Sequence, residues 1–327
     1  MNGIKSLSNK NSPHIRRINL ASDLDKVADL IEMCFPIQHD PDGQTYIREM
    51  RKSAQEMQIF RWISAIDDTV NAKVAGFVWE QDERIVGNLS LIPFHHKGQQ
   101  IYLIANVSVH PDYRRNGIAH ALTERGLDYL RRKNVSQIWL QVRDDNPTAI
   151  NLYRSAGFVA RFTRTTWRIQ PREFKNPFLS ETDNLTIKRR GNACWQTQKE
   201  WFNTIYPKTM RWNLPVDFNR FDPGIMQSIF NFMDGKKLQH WAVELNGQCK
   251  GVITWQKSNS FANNLWLGID PELEKQLLAS TLEVIIKHYP PKHMLSIDYP
   301  QGRLQSLFEA LRFRPFRTLI WMEHCPG

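Results

Sequence analysis

Val107-Ser108-Val109-His110-Pro111-Asp112-Tyr113-Arg114-Arg115-Asn116-Gly117-Ile118-Ala119 is the stretch that decides the fold. Apolar residues alternate through Leu103, Ala105, Val107 and Val109, which predicts a strand over 102–109 that is stopped by Pro111. Beyond the turn, Ile118, Ala121, Leu122, Tyr129 and Leu130 recur at helical spacing, so Gly117 stands where a helix begins. The first N–H groups of a helix have no intrahelical acceptor and carry the positive end of its dipole. Arg115 to His120 therefore offer several donors to one anion. Gly117, with no Cβ, lets the backbone come close to a pyrophosphate. Taken alone, the same residues also suit an ordinary solvated turn, and the residues downstream weigh between the two readings.

A second apolar strand is predicted over 136–142, through Ile138, Leu140 and Val142. Asp144-Asp145-Asn146-Pro147 follows it, then a helix over 148–156 that ends at Gly157-Phe158. With Arg114-x-x-Gly117-x-Ala119 and Asn146-x-x-Ala149-x-x-Leu152-Tyr153-x-x-x-Gly157-Phe158 in this order, the chain resembles the GCN5-related N-acetyltransferase (GNAT) family. The resemblance implies a site for acetyl-coenzyme A. Arg114, Arg115, Asn116, Gly117, Ile118, Ala119 and His120 would surround its pyrophosphate. Val107 and Val109 would bond the pantetheine arm through their main chain, on a strand that carries a bulge and splays from its neighbour. Asn146 would place its side chain against the same arm, and Tyr153 would be the acid that protonates the departing thiolate.

The chemistry accounts for these residue types. A phenol with a pKa near 10 stays protonated at neutral pH and can give its proton to a nascent thiolate of roughly similar pKa. Main-chain N–H groups at a splayed strand suit a tetrahedral oxyanion, an interaction often worth about 3 kcal/mol. The alternative for Tyr153 is a core aromatic on an amphipathic helix. Some members of the family take their base from a glutamate on the fourth strand, but 102–109 has no carboxylate. Glu80, His95, His96, Asp144 and Asp145 are the candidates that remain, each also readable as a solvated strand-end or loop group.

At 327 residues the chain can bury two cores, and 41% hydrophobic with 23% charged residues describes an ordinary globular protein. No apolar run approaches membrane-spanning length, and the polar opening 1–12 has no signal-peptide core, so a cytoplasmic location is expected. Cys34, Cys194, Cys249 and Cys325 are scattered without C-x-x-C spacing, which predicts reduced thiols and neither a disulfide frame nor a metal site. The sequon Asn88-Leu89-Ser90 then carries no glycosylation signal. The net charge of +10 is spread along the chain without a nucleic-acid motif, and attraction of a polyanionic coenzyme suffices to explain it.

The second half repeats the first. Phe77-Val78-Trp79-Glu80 with Gly87 matches Trp241-Ala242-Val243-Glu244 with Gly251, both predicted hairpins, and Val109-His110-Pro111 matches Ile269-Asp270-Pro271. Residues 139–158 match 294–313 without a gap, and Trp167 matches Trp321. The expected fold is α/β of the α+β type: two tandem GNAT-like domains, each a mixed, mostly antiparallel sheet flanked by helices. Residues 13–170 are expected to form the acyl-coenzyme A domain, 171–182 a linker, and 183–327 a degenerate copy that helps shape the acceptor site or serves structure. Its chemistry is altered: Glu274 stands for Arg114, Leu277 for Gly117, Gln301 for Asn146, Phe308 for Tyr153 and Arg312 for Gly157. Trp195, Trp201, Tyr206, Trp212 and Phe218 either line an acceptor pocket or form core, and the segment 35–40 either borders the acceptor groove or is a solvated loop.

The function this implies is transfer of an acetyl group to a small-molecule or peptide amine by direct attack in a ternary complex. The alternatives are an acyl-coenzyme A sensor and transfer to a hydroxyl or thiol.

Overall fold

Residues 85–94 are buried without a break, as in a strand at the middle of a sheet with helices on both faces. The structure, a computed structural model, describes residues 14–56, 75–96, 98–177, 184–224, 231, 237–258, 260–288 and 293–324. These divide into two compact units, one running to Phe162 and resuming at Ile320, the other Thr163–Leu319.

In unit 1, strands β1 (Ile15–Arg17), β2 (Ala75–Gln81), β3 (Arg84–His96) and β4 (Gln99–Val109) form an antiparallel ladder, and β5 (Gln137–Arg143) runs parallel to β4. Helices α1 (Leu20–Cys34) and α2 (Pro41–Glu56) cover one face. On α1, Leu24, Val27, Ala28 and Ile31 recur at helical spacing and are buried with Ile47 and Met50 of α2 and Val78 of β2. Helices α3 (Ile118–Arg132) and α4 (Pro147–Ser155) belong to the other core cluster, with Leu89, Leu91, Ile104, Leu122 and Phe158. Gly87 is what allows α3 to approach β3. A Cβ there would lie 2.8 Å from Ile118 Cγ2 and 3.0 Å from Leu122 Cδ1.

The sheets close by an exchange that the repeat did not predict. Strand β6 (Phe158–Ile169) begins in unit 1, but its residues from Arg164 to Ile169 pair with β11 (Met294–Pro300) of unit 2. Strand β12 (Arg314–His324) begins in unit 2 and returns to unit 1, where it is the neighbour of β5 and buries Met322 in the core. The expected span 13–170 thus ends inside unit 2, and 183–327 ends inside unit 1. An alternating apolar pattern announces a strand without naming its partner, and the two copies carry the same pattern.

Unit 2 repeats the topology with β7 (Leu185–Arg189), β8 (Leu238–Leu245), β9 (Gln248–Gln256) and β10 (Ala262–Ile269) antiparallel and β11 parallel to β10. Its helices are α5 (Trp195–Ile205), α6 (Glu274–His288) and α7 (Gln305–Ala310). Both expected hairpins, β2–β3 and β8–β9, are present. The expected linker includes a 3-10 turn at Pro171–Glu173, and its residues 178–182 lie outside the described residues. Cys34, Cys194 and Cys249 are free thiols; Cys325 and the opening 1–12 lie outside the described residues. Among the described residues no helix is long and apolar enough to cross a membrane.

Because the space beside Gly87 is already filled, Gly87→Ala is expected to destabilise unit 1 by about 1–3 kcal/mol through overpacking. Urea unfolding reads this as a lower midpoint at unchanged slope, and an unchanged midpoint would mean that α3 can shift at no cost.

Candidate active site

The parallel ladder between β4 and β5 runs only from Ile101↔Gln137 to Ile104↔Leu140. Beyond Ile104, β4 continues along β3 with a register shift: Asn88 pairs with Ser108 and Ser90 with Ala105, so Leu89 faces two residues, Asn106 and Val107. This is a β-bulge, and Asn106 takes a left-handed conformation at φ 52. The splay and the bulge expected from the family resemblance are therefore both present.

His110 N–H donates to Val86 O at 2.9 Å, which by antiparallel alternation turns the main-chain groups of Val109 away from β3. The Val109 carbonyl is already engaged there, accepting from Arg114 Nε at 3.1 Å and Cys34 Sγ at 3.3 Å. The Val109 N–H also points away from β3, toward the side where pantetheine is expected. Arg114 is a brace of the strand end through its Nε. Val107 and Val109 pack against the apolar cluster that also holds Tyr153.

After a 3-10 turn at Pro111–Tyr113 the chain enters α3 through two left-handed residues, Arg115 at φ 67 and Gly117 at φ 74. Positive φ costs an arginine roughly 1–2 kcal/mol, and a glycine nothing of that kind. The first helical bond is Ala121 N–H to Gly117 O at 2.9 Å, and no side chain caps the helix. The N–H groups of Ile118, Ala119 and His120 precede that bond and have no acceptor within the helix, as the expected anion site requires. Arg115, Asn116 and Gly117 are exposed, and a Cβ on Gly117 would meet nothing within 4 Å. The free space and the uncapped donors fit a pyrophosphate.

Asn146 caps α4 by accepting from Ala149 N–H at 3.0 Å, and Pro147 occupies the first turn. That bond uses the Asn146 carbonyl oxygen and leaves its amide hydrogens for another acceptor. Tyr153 is 7% exposed, with its ring edge-on to Phe158 at 6.0 Å. Burial pushes its hydroxyl above the ordinary tyrosine pKa. Tyr153 is therefore both a core aromatic and a phenol held protonated.

The candidate bases are occupied elsewhere or misplaced. Glu80 is bonded to Arg16, which also grips Asp23 at 2.6 Å. His95 and His96 pair with Gln100 and Gln99, at the end of β4 remote from the bulge. Asp145 takes both nitrogens of Arg143, at 3.0 and 2.7 Å, and Asp144 is exposed. What sequence reasoning missed is a set of neutral polar residues around the bulge: Asn106 on β4, Asn88 and Ser90 on β3, and Tyr46 on α2. The signal was Asn88-Leu89-Ser90, two polar residues at alternate positions within a buried strand. On the α1–α2 side, Glu32, Met33, Ile37, Gln38 and Gln44 line a recess of about 500 Å³, so part of the segment 35–40 does border a cavity.

In unit 2 the corresponding features are closed. The β9–β10 ladder runs from Gln256↔Asn264 to Gly251↔Ile269 without a register shift. Glu274, 3% exposed, accepts from Tyr299 Oη at 2.5 Å and Arg303 Nε at 2.8 Å. Leu277 and Phe308 are fully buried. Tyr206, Trp212 and Phe218 are core: Tyr206 and Phe218 stack with Phe202 and Trp266, which settles their reading against an acceptor lining. Trp195 and Trp201 are half-buried, and Arg190 lies over the Trp195 ring.

Residues 24–158 match the acetyltransferase (GNAT) family. Over 153 residues the chain is 33% identical to the mycothiol acetyltransferase of Renibacterium salmoninarum, covering 46% of this chain and 41% of that protein. Over 53 residues it is 47% identical to the ribosomal protein bS18-alanine N-acetyltransferase of Escherichia coli, covering 16% of this chain and 36% of that one. The chain thus spans well under half the length of these curated relatives. Among solved structures, a GCN5-related N-acetyltransferase from Sphaerobacter thermophilus superposes with TM-score 0.59 at 12% identity, covering 97% of this chain and 98% of that one. A tandem GNAT protein from the clavulanic acid biosynthesis pathway gives 0.54 at 14%, covering 96% and 99%. Residues 24–158 thus resemble the GNAT family, and the fold of the whole chain is that of the tandem GNAT proteins.

Removing the α4 cap by Asn146→Ala is expected to cost about 1 kcal/mol, and Asn146→Asp, which keeps an acceptor at the cap, to cost much less. Thermal melts of the three proteins measure this order, and equal melting would show that the cap bond carries no stability.

Proposed function

We propose that the chain is an acetyl-coenzyme A-dependent N-acetyltransferase acting in the cytoplasm. Catalysis lies in the first copy, residues 13–170, and the second copy, residues 183–327 beyond a linker at 171–182, shapes the acceptor site or serves structure. The observation that carries this is the direct junction of a splayed, bulged strand to an uncapped helix start. One supplies an edge for an extended arm and the other the donors for a diphosphate.

Coenzyme A supplies an activated acyl thioester and a leaving thiolate. On the protein side, the N–H groups of Ile118, Ala119 and His120 hold the diphosphate, with Arg115 and Asn116 beside them and Gly117 leaving room. Val107 at the splay and the Asn146 amide orient the pantetheine arm. Tyr153 holds its proton until the C–N bond forms and the C–S bond breaks, gives it to the thiolate, and regains one from the acceptor nitrogen, so that the phenolate that burial disfavours does not persist. The acceptor is an amine of a small molecule or peptide; the Escherichia coli relative is named for acetylating an alanine of a ribosomal protein. The engagement of Glu80 and Asp145 with arginines favours a second reading, a non-catalytic acyl-coenzyme A sensor.

Calorimetry is expected to show one acetyl-coenzyme A per chain, since Glu274 and Leu277 fill the equivalent place in unit 2. Gly117→Trp should abolish that binding, and two equivalents per chain would refute the assignment of unit 2. Thiol release screened across amines, amino acids and peptides separates enzyme from sensor: turnover with an acceptor rejects the sensor. With such an acceptor, Tyr153→Phe should lower kcat by about 100-fold or more while acetyl-coenzyme A still binds. A raised pKa keeps the acid form to higher pH, so turnover should decline on the alkaline side only above about pH 10. A decline centred near neutrality, or full activity of the phenylalanine variant, would remove Tyr153 from the acid role.

A further inference from the structure

The bulge of β4 is held from the side by a polar cluster that the fold does not require. Asn88 is fully buried, and its Nδ2 donates to Asn106 O at 2.8 Å. Asn106 Nδ2 donates to Tyr46 Oη at 2.7 Å and lies 3.5 Å from Ser90 Oγ, which Asn88 Nδ2 also meets at 3.4 Å. Asn106 is thereby gripped at its carbonyl and its side chain while its backbone stays at φ 52. Ser108, directly opposite Asn88, is 3% exposed, and its Oγ and Asn88 Oδ1 are buried without hydrogen-bond partners. Buried polar atoms left in this state weaken a strand pair, so a cluster kept solely for stability would not contain them.

Unit 2 provides the comparison within the same chain. Aligning Gly87 with Gly251 puts Val252 in the place of Asn88, and Val252 is fully buried in an unbroken ladder. The β9–β10 pair therefore forms without the bulge, without the asparagine, and without the open helix start of unit 1. Thr254, in the place of Ser90, is buried too, but its partners are Gln198 at 3.2 Å and His240 at 2.7 Å and neither lies on β10; the buried asparagine and the bulge it bonds are found in unit 1 and not at the equivalent place in unit 2.

We infer that Tyr46 and Asn88, acting through Asn106, are positioning residues: they fix the β4 bulge so that main-chain N–H groups at the splay polarise the acyl carbonyl of the bound thioester. This rests on the acetyl-coenzyme A reading above. Asn106 is the hinge of the arrangement, since it alone adopts the left-handed conformation and carries both bonds. Tyr46 reaches it from α2, the helix whose Gln44 lines the recess on that face. Burial pushes the Tyr46 hydroxyl up to about 12, so it remains a neutral phenol at working pH, able to accept from Asn106.

The test is infrared difference spectroscopy of the full chain with acetyl-coenzyme A labelled with carbon-13 at the thioester carbonyl, alongside calorimetry with unlabelled coenzyme A. In the wild-type chain the carbonyl band is expected to move to lower frequency on binding. In Tyr46→Phe, Asn106→Ala and Asn88→Val, the last copying unit 2, the band is expected to return most of the way to its free position, with coenzyme A still bound through the untouched anion site and more weakly only as far as the released bulge loosens the strand edge for its arm. Circular dichroism identifies any variant that fails to fold, and Tyr46→Phe, which deletes one oxygen, keeps the test decisive if Asn88→Val does. A shifted band that survives in Tyr46→Phe and Asn106→Ala, or wild-type binding with no shift at all, would overturn the inference while leaving the functional reading in place. Absence of acetyl-coenzyme A binding by the wild-type chain would overturn both.

Discussion

The ladder between β4 and β5 stops at Ile104, and unit 1 is arranged around that stop. Ending a parallel ladder inside a covered sheet leaves main-chain donors and acceptors that need new partners. One extra residue in β4 produces the stop, because a bulge bends the strand and increases its twist. The strand then leads within a few residues into the uncapped start of α3. Gly87 brings that helix down on β3, so the anion donors and the open strand edge are held on one rigid frame. A ligand with a diphosphate at one end and an extended arm at the other meets a surface already shaped for both, which lowers the entropy lost on binding.

The electrostatics of this frame differ from what net charge suggests. Arg114 is tied by its Nε to a carbonyl, Arg143 to Asp145, and Arg16 to Asp23 and Glu80. The positive field at the turn therefore combines the charges of Arg114 and Arg115 with the main-chain N–H groups and the helix dipole, while Arg143 and Arg16 are neutralised by their carboxylates. Fixed dipoles of this kind need no reorganisation when charge moves, a property that suits a site where a thiolate is released.

What could be read from the sequence is what the chain encodes locally. Pro111 after a strand, a glycine at positive φ, and an asparagine before a proline at a helix start each depend on a few neighbouring residues, and each is found where expected. Tyr46 and Asn106 are 60 residues apart, and Arg16 and Glu80 are 64 apart, so neither pairing has a local signature. Glu80 as a free base was a fair expectation only while Arg16 was out of view. Asn88 and Ser90 are polar positions in an apolar strand, and their burial depends on helices packed on both faces of the sheet, which the strand's own residues do not encode. The strand exchange was hidden for another reason: both copies present the same alternation, and periodicity does not say which edge a strand joins.

The exchange also gives unit 2 a structural part in unit 1. Unit 1 ends its own sequence at Phe162, and β5 takes as its next neighbour a strand that the chain supplies only after passing through all of unit 2. Met322 from that strand is fully buried in the unit 1 core, His324 stacks edge-on with Phe158 at 5.3 Å, and Glu323 pairs with Arg161 at 2.9 Å. Phe158 also packs on Tyr153, so the returning strand supports the helix that carries the proposed acid. Glu274 and Leu277, which stand for Arg114 and Gly117, are compatible with β12 in its place, whereas substitutions that unfold unit 2 would withdraw a strand from unit 1. The exchange thus sets a requirement on unit 2 that is independent of any site of its own: it must fold and deliver that strand.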